Sequence, residues 1–244
     1  MAVKTIQSVE NALTVIEALA AAQPIGVSAL ARLVELDKNA VQRVLLTLGQ
    51  AGWIRQAEGG EWLITSRALQ VGTHYTSGLR DAARLHIEEL QRITGETVLL
   101  FARDGLQMVV LDAIDSTQAL RMTVPIGTVV PLTRSAAFDA FLADSDRAQL
   151  APSSVSPTKR AMAHVRSAGF FVLDDLYPNA MAAGAPIFDE HDIPVGSLTV
   201  VGPRVRVDAN MAHHFGELTA AAAAAIGTSL SGTRIPQPSR GTGS

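Results

Sequence analysis

The 244-residue sequence contains no cysteine. Disulfides, thiolate metal centres and cysteine nucleophiles are therefore excluded together, and a reducing compartment fits. Aromatic residues make up only 5%, whereas alanine is plentiful, a balance that favours close helix packing over a β-rich sandwich. No stretch approaches the roughly 18–20 uninterrupted apolar residues of a membrane span. The first residues, Met-Ala-Val-Lys-Thr-Ile-Gln-Ser, lack the apolar core of a secretory signal, so a soluble cytoplasmic protein is expected.

Strong charge of either sign is also missing, the net value being -3. Residues 1–80 hold seven Lys and Arg against six Asp and Glu, and the remainder thirteen against seventeen. Non-specific affinity for nucleic acid grows with the number of phosphates neutralised. Any DNA binding should thus be modest, salt-sensitive and dependent on more than one copy of the reading element. Catalytic signatures are absent too: there is no Gly-x-Ser-x-Gly and no phosphate-cradling glycine loop. His74, His86, His164 and His191 show no metal-ligand spacing, and the adjacent His213 and His214 point to different sides of a helix. Asp174-Asp175 reads as a solvated loop. Neither enzyme activity, cofactor nor metal is expected.

What is present is enough apolar sequence, 48%, and enough length for two domains. Residues 28–54 read as two short helices around a tight turn, followed by a strand: a helix-turn-helix opening into a wing. The second helix carries Val41, Val44, Leu45 and Leu48 at the spacing of one buried stripe. Its other side carries Lys38, Asn39, Gln42 and Arg43, donor-rich side chains of the kind that phosphates and base edges require. Alone, that pattern describes a DNA-reading helix and an ordinary solvated surface equally well.

Around this stretch, a first helix is expected from Ser8, as its cap, to Ala22, with Val9, Leu13, Ile16 and Leu19 inward. Ser28 is expected to cap the second helix, with Leu30, Leu33 and Val34 facing the core, and Asp37 to cap the third, which Gly52 ends. Trp53–Gln56 and Glu61–Thr65 flank Glu58-Gly59-Gly60 as a hairpin. A helical pattern over residues 66–80 reads as a connecting helix. Helical spacing resumes with Leu85, Ile87, Leu90 and Ile93 up to Gly95. Strands are expected over Thr97–Arg103, Gln107–Ala113, Ala119–Val124, Ala182–Phe188 and Val195–Val201, with short helices after Ser135 and Ser156. A long alanine-rich helix over residues 208–229 follows, and a Ser-, Gly- and Pro-rich tail over 231–244 reads as disordered. The outcome is an α+β chain whose second domain has a largely antiparallel sheet.

Taken in order, these pieces resemble the IclR family of transcriptional regulators over residues 8–229. The matching residues are Ser28-Ala29-Leu30-Ala31, Lys38 to Leu45, Leu48 and Gly52-Trp53-Ile54, then Thr94 to Leu100, Pro131-Leu132-Thr133, Phe141-Leu142-Ala143, Gly169-Phe170, Pro186 to Asp189 and Gly202-Pro203. The resemblance implies a winged helix-turn-helix (residues 1–65), a linker helix (66–80) and a GAF-like α/β effector-binding domain (81–230). It also implies dimers or dimers of dimers on a palindromic operator, and a small organic acid as effector. DNA contact then falls to Lys38, Asn39, Gln42 and Arg43, with Ser28 and Arg55 on phosphates. Carried over position by position, the effector pocket would be bounded by Met122, Val130, Ala136, Ala137, Asp174, Ala182, Gly184, Thr199 and Val201.

The sequence departs from the family where a glycine is replaced by Phe138, reshaping the pocket mouth, and where Asp139 reverses a charge. Asn179 stands for another glycine and can adopt a left-handed backbone. Arg121 and Arg134 flank Pro125-Ile126-Gly127, where an arginine could clamp a carboxylate or pair with Asp112, Asp115 or Asp139 at the surface. Arg121 fits the surface role better; Arg134 fits either. The largely apolar wall suits a small aromatic or short-chain acid. A competing assignment is a small-molecule binding or catalytic protein whose winged helix serves only protein association.

Overall fold

The computed structural model describes residues 5–72, 78–104, 107–131, 167–173 and 179–230. The chain divides into two compact units, residues 1–76 and 77–244.

In the first unit, α1 (Gln7–Ala22), α2 (Val27–Leu33) and α3 (Lys38–Gln50) pack around Val15, Leu19, Leu30, Val41 and Leu45, all fully buried. The hairpin β1 (Ile54–Gln56) and β2 (Trp62–Ile64) closes this core with Ile54 and Trp62. Asp37 caps α3: its carboxylate accepts from the amides of Asn39 at 2.9 Å and Ala40 at 3.2 Å. At the other end Gly52, with φ +79°, lets the amides of Gly52 and Trp53 reach back to the carbonyls of Gly49 and Leu48. Both expected ends of α3 are therefore as the sequence indicated.

The caps of the other two helices are not. α1 starts behind Ile6 and α2 behind Gly26, each two residues early and neither with a side-chain cap, so Ser8 and Ser28 lie inside the first helical turns. The inward stripe of α1 is also shifted. Val15 and Leu19 set it, and at about 100° per residue Leu13 falls on the far side, where it and Val9 are exposed. In α2, Ala31 rather than Leu33 joins Leu30 in the core.

α4 (Arg67–Gly72) follows the hairpin. α5 (Gly78–Thr94) runs without a break through position 80, where a boundary was expected, and Leu79 already belongs to the core of the second unit. Its buried stripe is Leu79, Ala83, Ile87 and Leu90, while Leu85 and Ile93 are exposed. The second unit holds β3 (Thr97–Asp104), β4 (Gln107–Ile114), β5 (Val129–Pro131), β6 (Phe171–Leu173), β7 (Ala180–Phe188) and β8 (Pro194–Pro203). They form one antiparallel sheet in the order β5-β4-β3-β8-β7-β6. Asn179 has φ +59°, the left-handed conformation expected of it, just before β7. Asp208 caps α6 (Ala209–Leu230) by accepting from the amide of Met211 at 2.8 Å.

Two expectations for the sheet change. Residues 119–124 form no strand. Instead Thr97 Oγ1 donates to the Met122 carbonyl at 2.6 Å and accepts from the Ser116 amide at 3.0 Å, while Ser116 Oγ donates to the Gly95 carbonyl at 2.6 Å. These side chains take up backbone groups that a ladder would otherwise satisfy, and the edge strand is β5, five residues further on. β6, absent from the sequence-based expectation, pairs with β7 through Phe171 and Gly184.

Both faces of the sheet are covered. On one, Val98, Leu100, Ala183, Ile187, Leu198 and Val200 meet α5 and α6. On the other, Leu99, Phe101, Met108, Val110, Ala182 and Val201 form a second cluster. Near Gly202 and Val207, buried Glu96 is held in a two-pronged pair by Arg206, with Nε to Oε1 at 2.6 Å and Nη2 to Oε2 at 2.8 Å. The hydrogen bonds it donates to Glu96 hold the Arg206 guanidinium above its ordinary pKa.

The expected helices after Ser135 and Ser156, the Asp174-Asp175 loop and the tail over 231–244 lie outside the described residues.

Candidate nucleic-acid interface and ligand site

On α3, Lys38, Asn39, Gln42 and Arg43 occupy one arc of about 140° that starts beside the line of buried Leu45 and runs away from it to Arg43. Lys38, Asn39 and Arg43 are exposed and Gln42 is partly so. The Asp37 cap fixes the start of this arc, because the two amides it holds belong to the residues immediately following Lys38. Arg55 is exposed on β1, opposite Leu63. Ser28 is exposed in the first turn of α2, where its carbonyl accepts from Arg32 Nε at 3.3 Å.

The wing is locked at its tip by Gln56 Nε2, which donates to the Gly60 carbonyl at 2.8 Å. Its base is fixed by Thr65 Oγ1, which donates to the Gly52 carbonyl at 2.6 Å. Arg67 lies over the Trp53 ring at 5.9 Å, a contact the sequence did not advertise. Over residues 28–65, Arg32, Lys38, Arg43 and Arg55 are balanced by Glu35, Asp37, Glu58 and Glu61. A balanced surface gains little from phosphates alone.

In the second unit, the structure brings six of the expected effector residues to one face of the sheet. Met122 and Val130 pack against the cluster that contains Ala182 and Val201. The register pairs Gly184 with Thr199 and Ala182 with Val201, which places all four on that same face. The other five, Arg134, Ala136, Ala137, Phe138 and Asp174, lie outside the described residues, as does Asp139. Thr199 is 3% exposed, and its hydroxyl lies beside the place that a Gly184 Cβ would take. The hydroxyl of Thr97 is committed to Met122 and Ser116.

Phe171 is the residue that sequence reasoning missed here. A Cβ at Gly184 would come within 2.5 Å of its ring and 2.8 Å of Thr199 Oγ1. The only sequence signal was the apolar run from Phe170 to Leu173. Arg121 pairs with Asp115 at 3.7 Å, the surface arrangement expected of it. Among the described residues no group of His, Asp and Glu is placed to hold a metal ion. His213 and His214 nevertheless converge on one exposed carboxylate, Glu217, at 3.9 and 3.5 Å. No helix among the described residues is long and apolar enough to cross a membrane.

Comparison with known proteins decides the family. Residues 8–58 match the IclR helix-turn-helix domain, and residues 73–228 match the bacterial transcriptional regulator IclR C-terminal domain. The chain belongs to the IclR family.

Among curated relatives, the transcriptional repressor IclR of Escherichia coli is 28% identical over 251 aligned positions, covering 94% of this chain and 92% of that protein. The regulator KdgR of the same organism is 25% identical over 221 positions, covering 83% and 84%. Among solved structures, an IclR homologue from Microbacterium hydrocarbonoxydans complexed with 4-hydroxybenzoate superposes with a TM-score of 0.76 at 17% identity, covering 93% of this chain and 100% of that one. At that identity the likeness is one of fold. These relatives are named repressors and regulators. This IclR-family chain is accordingly a DNA-binding transcriptional regulator, not an enzyme.

Proposed function

We propose that the protein is a cytoplasmic repressor that acts as a dimer or dimer of dimers. It grips a palindromic operator with Lys38, Asn39, Gln42 and Arg43 of α3, while Ser28 and Arg55 contact phosphates. A small organic acid binds against Met122, Val130, Ala182, Gly184, Thr199 and Val201 and changes DNA affinity. It does so only as far as it favours one arrangement of the paired reading heads over another. The observation that carries this reading is the cap-locked arc of donors on α3, on a helix anchored by the fully buried Val41 and Leu45. The buried Thr199 hydroxyl on a largely apolar face supports the acid, as does the 4-hydroxybenzoate bound by the Microbacterium homologue. Arg134, Ala136, Ala137, Phe138 and Asp174 complete the proposed pocket through the family resemblance.

The test is fluorescence anisotropy with the duplex upstream of the protein's own gene. Sequence-preferring binding at moderate salt is expected, with a loss of roughly tenfold or more on changing Gln42 and Arg43 to Ala. Equal affinity for that duplex and a scrambled one, with no loss in the double variant, refutes the reading.

A further inference from the structure

We propose that Phe171 sets the width of the ligand group that can reach the Thr199 hydroxyl, a selectivity role that rests on the effector reading above. Phe171 on β6 lies directly across from Gly184 on β7, and Gly184 lies across from Thr199 on β8. Three neighbouring strands thus put a ring, a bare Cα and a hydroxyl in one row. Gly184 is what makes the row possible. Any side chain there would collide with the ring at 2.5 and 2.7 Å and with Thr199 Oγ1 at 2.8 Å.

The ring is 5% exposed and the threonine 3%, so neither lies open to bulk water. On the same face the Thr97 hydroxyl is already used, and of the Ser197 and Thr199 hydroxyls it is that of Thr199 that lies against Gly184 in the row with the Phe171 ring. A carboxylate that accepts from Thr199 Oγ1 must lie beside the Phe171 ring. A planar acid with bare flanks meets that condition and gains ring contact. An acid carrying a bulky group next to its carboxylate collides with the ring.

The experiment uses the full chain and two probes, benzoate and biphenyl-2-carboxylate, titrated calorimetrically. The unsubstituted protein is expected to prefer benzoate by about tenfold or more, as a packed site does when it excludes added bulk. Phe171→Leu and Phe171→Ala close or reverse that ratio. Thr199→Val weakens both acids by a similar factor and leaves the ratio unchanged, which separates the anchor from the wall. Phe171→Leu keeps most of the apolar volume and serves where the alanine variant does not fold. An unchanged ratio in folded Phe171→Leu, or an equal loss of both acids, overturns the proposal and leaves the effector reading intact. Binding of neither acid by any of the four proteins overturns both.

Discussion

Replacing Asp37 by alanine removes both hydrogen bonds that hold the start of α3, at 2.9 and 3.2 Å to the amides of Asn39 and Ala40. The site is exposed, so water can take up the freed amides and the cost is that of a lost cap, about 1 kcal/mol with a range of roughly 0.5–2. The lost interaction of the carboxylate with the helix N-terminus adds about 0.3–1 kcal/mol. A drop of about 1–2 kcal/mol lowers the melting temperature of a 60–100-residue unit by roughly 4–16 °C. Both tryptophans, Trp53 and Trp62, lie in the first unit, so their emission reports its unfolding separately from that of the second. The Asp37→Ala transition followed by tryptophan fluorescence should therefore shift down, and Asp37→Asn, which keeps the acceptor and loses only the charge, should shift by about 0.3–1 kcal/mol. Asp37→Asn should also bind DNA more tightly than the unsubstituted protein, since it removes a negative charge beside Lys38. A fluorescence transition unchanged in Asp37→Ala refutes the argument that this cap organises the reading helix.

Three further outcomes follow from the packing. Leu45→Ala, at a fully buried position of α3, should destabilise the first unit by about 2–5 kcal/mol in urea unfolding. Glu96→Gln replaces a carboxylate held at 2.6 and 2.8 Å by Arg206, and should lower the calorimetric transition of the second unit while leaving the tryptophan-monitored one in place. Gly52→Ala forces a side chain into a backbone with φ +79°, costing roughly 1–2 kcal/mol in the same fluorescence assay.

The reading head was legible because its signals are local. Asp37 stands one residue before the helix it caps, Gly52 stands where a left-handed residue is needed, and Gly59-Gly60 marks the hairpin. The α1 and α5 stripes were legible in period but not in phase. Leu13, Leu85 and Ile93 are as apolar as the residues that are buried, and only the partner surface selects Val15 and the small Ala83. The segment 119–124 alternates like a strand. What shapes it is the side chain of Thr97, more than twenty residues distant and outside any local window. The candidate pocket residues of β7 and β8 were named through the family resemblance. Phe171 was not, because its position across from Gly184 exists only once β6 is paired, and a three-residue strand leaves almost no periodic trace.

The bonds around Thr97 also determine what the segment bearing Met122 can do mechanically. The Met122 carbonyl, the Thr97 hydroxyl, the Ser116 amide and hydroxyl and the Gly95 carbonyl form one unbroken chain of donors and acceptors ending where α5 ends. Thr97 is fully buried, so a slip at any link would strand a polar group out of reach of water at a cost of about 1–3 kcal/mol. The loop is thus hinged to the helix at a fixed pivot: a push on the Met122 backbone is carried to the foot of α5 instead of being absorbed on the way.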